Sequence, residues 1–262
     1  PVGTIMGERL MYFPSLGFTV VSALVIDKLL NKGKSHKITG YSLLVFLLVF
    51  YGTRTFIRNK DWHDSRTLFY ATVKESPNSI KTRTALAAEY ILADEWGKAK
   101  EELKIAGNLL EDNSHLQNLL GIVADHEGDL ELAEVKFRKS IELNPDAINS
   151  HINLAELYLK QGRLQEAGEN FLVVINFYST AEYVVRYSYI QIALNKPDIA
   201  LDMINKHFGN NLDSPEIRAL AGTAYFVKGD YKQALGHLKR AQELGNKAEE
   251  IGQMIRIINK KR

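Results

Sequence analysis

The chain has 262 residues, with 33 Lys or Arg set against 31 Asp or Glu, and it contains no Cys. The near balance of charge gives no electrostatic reason for nucleic-acid binding, and the lack of thiols excludes disulfides, thiolate metal sites and cysteine nucleophiles. The sequence opens Pro1-Val2-Gly3, without an initiator Met, a basic leader or a small-residue cleavage site, which predicts a fragment or a processed product.

Two uncharged apolar tracts come first, Leu10 to Ile26 and Ile38 to Thr53. A hydrocarbon core about 30 Å thick needs roughly 20 helical residues, so each span must recruit its flanks, with Lys28, Arg54 and Arg58 extending charged heads toward headgroups. Residues 1–57 are therefore predicted as a membrane region with two spanning helices, at about 10–30 and 38–57. The alternative is a pair of buried helices in a soluble domain, but the second tract is apolar on every face and no other segment could cover it. Lys28, Lys32, Lys34 and Lys37 lie in the intervening turn, against Arg9, Arg54, Arg58 and Lys60 on the opposite flanks. Four basic residues face four, so charge leaves the topology undecided.

The string Gly7-Glu8-Arg9-Leu10-Met11-Tyr12-Phe13-Pro14-Ser15 precedes the first tract. Arg9 could hold an anionic headgroup or a lipid-linked phosphate. Composition alone favours the simpler reading, interfacial anchoring by Arg9, Tyr12 and Phe13.

Residues 58–79 are predicted as a half repeat, because Trp62, Phe69, Thr72 and Pro77 match the second helix of the units that follow. From 80 onward a 34-residue period recurs in five units, 80–113, 114–147, 148–180, 181–214 and 215–248. Small residues return at fixed offsets, as in Gly121, Ala155 and Gly222, and Ala133, Ala167 and Ala234; Phe137 and Phe171 fill the holes between helices. Gly128, Gly162 and Gly229 stand where a left-handed residue must end each first helix. A 34-residue, two-helix period is the tetratricopeptide signature. The fourth unit fits only after one residue is dropped, with Asn195 at the turn and Pro197 near a helix start. Residues 249–262 form a capping helix. The fold class is all-α, a two-helix transmembrane hairpin followed by a tetratricopeptide-repeat α-solenoid. With no Gly/Ser/Pro-rich spacer between hairpin and repeats, the repeats are expected close to the membrane.

No recognisable catalytic set is present. His63, in Asp61-Trp62-His63-Asp64, has ligand-type neighbours, but Asp61 suits helix capping and Trp62 an interfacial anchor. His115 and Asp125, about 15 Å apart along one helix, cannot share an ion. No metal site is expected. In such repeats first-helix residues line a concave groove, and the register places Lys81, Thr84, His115, Asn118, Asp125, Asn149, Ile152, Glu156, Glu182, Tyr189 and Phe226 there. This mixed surface predicts a protein or peptide partner, and its lack of converging Lys or Arg argues against an acidic peptide terminus. The plainer reading of each residue is an ordinary solvated position.

The order Gly-Glu-Arg-Leu-Met-Tyr-Phe-Pro-Ser-Leu-Gly-Phe at 7–18, a second span, Arg54-Thr55, Asn59, Asp61-Trp62 and Thr67-Leu68-Phe69 before repeats resembles the transmembrane and tetratricopeptide repeat-containing family. The likeness covers essentially the whole chain, with Phe13 where Leu is commoner. It implies a glycosyltransferase-like parent of the GT-C type, akin to protein O-mannosyltransferases, that uses polyprenyl-phosphate-linked sugar. Glu8 and Arg9 would lie at the extracytoplasmic membrane surface, with Arg9 or Arg54 near a lipid phosphate. The family's catalytic acid belongs to an early loop absent here, so no catalytic residue is assigned. The resemblance also places the Lys28–Lys37 turn in the cytoplasm and the repeats outside it. Without an Asn-x-Ser/Thr sequon or Cys, a bacterial plasma membrane is favoured over the endoplasmic reticulum. The rival readings are a non-enzymatic, membrane-tethered scaffold and an assembly cofactor for surface polysaccharide or secretion.

Overall fold

The computed structural model of the chain describes residues 12–31, 33–61, 63–209 and 214–261, which hold fourteen α-helices and no strand. The chain divides into two compact units, 1–123 and 124–262.

In the first unit, α1 (Tyr12–Leu30) and α2 (Lys34–Asp61) pack as a helical hairpin. Most of the predicted turn is helical, since α1 continues through Asp27 and Lys28. Among the described residues one segment, His36–Ile57, is long and apolar enough to cross a membrane, and 6% of it is buried. The expected pair of spans is thus reduced to one candidate. Asp27 and Lys28 interrupt α1 after an apolar stretch that, over the described side chains, runs only from Leu16 to Ile26. The motif at 7–11 and Trp62 lie outside the described residues.

The next helices are α3 (Ser65–Glu75), α4 (Ile80–Leu92), α5 (Trp96–Leu109) and α6 (Ser114–His126). A capping box starts α3: the Thr67 amide donates to Asp64 Oδ1 at 2.7 Å and the Asp64 amide to Thr67 Oγ1 at 3.3 Å. The cap is Asp64 and not Asp61, because α2 continues unbroken to Asp61. Val73, Leu86, Tyr90 and Ala99 join α3 to α4 and α5, and Ala87, Leu103, Ala106, Leu116, Leu119 and Val123 join α4, α5 and α6.

The unit boundary falls within α6. The second unit continues with α7 (Leu130–Leu143), α8 (Ile148–Lys160), α9 (Leu164–Phe177), α10 (Ala181–Ala193), α11 (Pro197–Phe208), α12 (Pro215–Lys228), α13 (Tyr231–Glu243) and α14 (Glu249–Lys261). Two of its turns share one device. Gly128 and Gly229 reverse the chain at φ of 80° and 86°, and the Asp that follows caps the next helix, Asp129 accepting from Leu132 N and Asp230 from Gln233 N. Asn195 takes the same left-handed conformation at φ 57°, and Pro197 opens α11. Ala133, Ala167, Ala200 and Ala234 are fully buried, which lets helix backbones approach. At Gly222 the approach is closest: a Cβ there would stand 2.7 Å from Cγ and Cδ2 of Leu238.

Candidate peptide-binding surface

In the first unit Lys81 and His115 are exposed, on α4 and α6. Thr84 and Asn118 are buried, which corrects the expectation that they face a ligand. The Thr84 hydroxyl donates back to the carbonyls of Ile80 and Lys81 at 3.0 and 3.2 Å. Asn118 belongs to a run of four buried residues, 116–119, so α6 is enclosed on more than one side. The buried Arg83 of α4 donates to Glu102 Oε2 on α5 at 2.6 Å and to the Pro77 carbonyl at 2.6 Å.

In the second unit the structure brings together more of what the register selected. Glu156 on α8 and Glu182 on α10 share one cation, Arg186, which pairs with Glu156 across the helices and with Glu182 at 3.2 Å along its own helix. Asn149 is exposed and Ile152 half-buried on the face of α8 that carries Glu156. One turn beyond Arg186, Tyr189 is 48% exposed. The protein around it, together with the Glu216 and Glu250 carboxylates from the first turns of α12 and α14, holds its hydroxyl above the usual phenol range. This face therefore offers an accessible aromatic ring in a predominantly acidic surround, with Arg186 as a bound cation beside it.

Two expected groove residues are otherwise engaged. Asp125 pairs with Lys160 at 2.6 Å. Phe226, half-buried, packs edge-on against Tyr231, 5.8 Å between centroids, at the margin of the apolar cluster of α12, α13 and α14. Arg186 and Lys160 were not among the residues selected by register. The i, i+4 spacing of Glu182 and Arg186 was the available signal for the first. Among the described residues no three His, Cys, Asp or Glu side chains converge as a metal site, and His63 is an exposed neighbour of the capping Asp64. Arg54 is exposed on α2, and Glu8 and Arg9 lie outside the described residues.

Paired helices with left-handed turns and buried small residues at one period define a tetratricopeptide-repeat protein, and the model of the family described as Tetratricopeptide repeat matches residues 136–169. The fold is similar to YrrB, described as a TPR protein with an unusual peptide-binding site, at a TM-score of 0.62 and 14% identity over 71% of this chain and 96% of that one. It is also similar to pilF of Pseudomonas aeruginosa, at 0.53 and 16% over 69% and 83% respectively. The sequence is homologous to the protein O-mannosyl-transferases designated TMTC. It is 25% identical to TMTC3 of Homo sapiens over 89% of this chain and 22% of that protein, and 29% identical to TMTC2 of Mus musculus over 45% and 13%. The chain thus spans about a fifth of the length of TMTC3. The resemblance read from the order of its motifs is shown by these matches.

Proposed function

We propose that this chain is the membrane and repeat part of a glycosyltransferase-like protein, its repeats binding a polypeptide acceptor or partner outside the cytoplasm. The observation that carries this reading is the extent of the match to TMTC3. It takes in 234 of 262 residues, so α2 and the repeats as far as α12 lie within it when either end is left out. On this reading α1 and α2 cross a membrane as a hairpin, with Lys28 to Lys37 on the cytoplasmic side. A bacterial plasma membrane fits better than the endoplasmic reticulum. The parent protein uses a polyprenyl-phosphate-linked sugar, and Arg9 or Arg54 approaches the lipid phosphate, with Glu8 at the membrane surface. The acceptor lies along the α8–α10–α12 face, packing an apolar or basic side chain on Tyr189.

The test is transfer of labelled sugar from a polyprenyl-phosphate donor to protein by membranes carrying the full-length protein. Tyr189→Ala should lower transfer to the acceptor without altering the helical circular dichroism, and Arg54→Gln should lower transfer to any acceptor. Unchanged transfer in both would overturn the roles given to Tyr189 and Arg54, and transfer no higher than in membranes lacking the protein would favour a membrane-tethered scaffold without enzymatic activity.

A further inference from the structure

On the spanning reading the apolar segment of α2 ends at Ile57, with Arg54 extending its charged head up to the headgroups. The helix does not stop there. It runs on to Asp61, a further four residues that rise about 6 Å at about 1.5 Å per residue. A headgroup layer is about 5–8 Å thick on each side of the core, so this extension ends within it. Helix α3 then begins at Ser65, and its eleven residues reach about 16 Å. Its last residue, Glu75, lines one recess with Phe46, Val49, Phe50, Thr53, Arg54 and Ile57, a single stripe along α2. For Glu75 to share a recess with Arg54, α3 must fold back alongside the extension and not lead away from it.

We infer that α3, the first helix of the repeat region, rests in the lipid headgroup layer and seats the first unit on the membrane; this rests on the reading that α2 spans it. The exposed side chains of α3 are those such a site takes. Tyr70 is 50% exposed, and the Lys74 ammonium sits over its ring at 4.4 Å. An aromatic ring with an apolar body and a polar tip, beside a lysine able to extend toward phosphate, is the usual interfacial pair. The opposite side of the helix is held by protein, since Val73 is buried and Phe69 packs against the cluster of α4 and α5. The recess, about 610 Å³ and mostly apolar, has Arg54 toward the headgroups and Phe46 below it. It has room for one acyl chain of a phospholipid, laid along Phe46, Val49 and Phe50, with the lipid's phosphate within reach of Arg54.

Site-directed spin labelling tests this, because the chain supplies no competing thiol. The full chain, reconstituted into phosphatidylcholine–phosphatidylglycerol vesicles, is labelled singly at Phe50→Cys, Tyr70→Cys or Lys74→Cys. The ratio of oxygen to nickel-chelate accessibility is read against spin-labelled lipids of known depth. The expected result is a hydrocarbon ratio at 50 and headgroup ratios at 70 and 74. A hydrocarbon ratio at 50 with fully aqueous ratios at both 70 and 74 overturns the inference and leaves the span standing. An aqueous ratio at 50 overturns the span and the inference with it. Lys74→Cys, at an exposed site, keeps the test decisive if Tyr70→Cys folds poorly.

Discussion

Replacing Gly222 with Ala would place a Cβ 2.7 Å from both Cγ and Cδ2 of Leu238 and 3.2 Å from the Leu238 amide nitrogen. Leu238 is fully buried in the cluster of α12, α13 and α14, so its side chain has no free volume to enter, and the backbone contact cannot be relieved by a rotamer change. In a helix interior the same substitution otherwise gains about 1 kcal/mol of propensity. Overpacking a filled core costs about 1–3 kcal/mol, and contacts this short belong in the upper half of that range. The net expectation is a loss of about 1–2 kcal/mol. Gly236, exposed on α13 with nothing within 4 Å of its would-be Cβ, is the control, and Gly236→Ala should gain about 1 kcal/mol. The two variants should then differ by about 2–3 kcal/mol. At about 2–4 °C per kcal/mol, their midpoints in thermal circular dichroism should separate by about 4–12 °C. If Gly222→Ala melts at or above Gly236→Ala, the close approach of α12 to α13 is wrong.

Asn195→Gly should raise the midpoint by up to about 1 kcal/mol equivalent, because a left-handed non-Gly residue carries about that cost; a fall would mean the Asn side chain is needed at that turn. Arg83→Met leaves the half-buried Glu102 carboxylate without its partner and should cost about 1–3 kcal/mol in denaturant melts, with Arg83→Met/Glu102→Met recovering most of it. His237 stacks on Tyr225 at 5.3 Å, and burial first, then the Arg218 charge, lower its pKa. A lowered folded pKa means that the unfolded chain binds the proton more tightly, so stability should fall as pH drops below about 6.5. His237→Phe keeps the stack and should flatten that slope in melts taken across the range; an unchanged slope would assign it to another group.

The repeats were legible because their determinants are local and periodic. Gly128, Gly162 and Gly229 announce turns by themselves, and Ala133 and Ala167 recur at a helix–helix contact that any two-helix stack must make. What was missed depends on neighbours. Arg58-Asn59-Lys60-Asp61 reads as a polar joint, yet it is the last turn of α2, since nothing in it breaks a helix. That displaces the cap of α3 from Asp61 to Asp64. Register placed Thr84 and Asn118 on an open face, but their burial depends on surroundings that spacing along one helix does not contain. The acidic surround of Tyr189 comes from Glu216 and Glu250, the first turns of two later helices, and no local motif links them.

One departure from the regular turn bears on how the surface works. After Gly128 and Gly229 an Asp caps the following helix, whereas after Gly162 the corresponding residue is Arg163, which caps nothing. Arg163 instead bonds Glu134 at 2.7 Å and Glu166 at 2.9 Å and lies over the Tyr158 ring at 4.2 Å. The Tyr158 hydroxyl in turn donates to Glu134 at 3.1 Å and accepts from Arg138 at 2.9 Å. A local cap has been exchanged for a network that ties the start of α9 to α7 and α8. Isolated surface pairs contribute little, but charges that share partners hold one another in place, and Tyr158 itself is buried. Glu156, on α8, is therefore carried by a braced group of helices. Tyr189, on α10, is joined to that group through the half-exposed pair of Arg186 with Glu156. That pair is partly exposed, and α10 is also packed on α9, where the Phe171 and Tyr183 rings lie 6.2 Å apart, so Arg186→Met should change the charge beside Tyr189 and leave the helices in place.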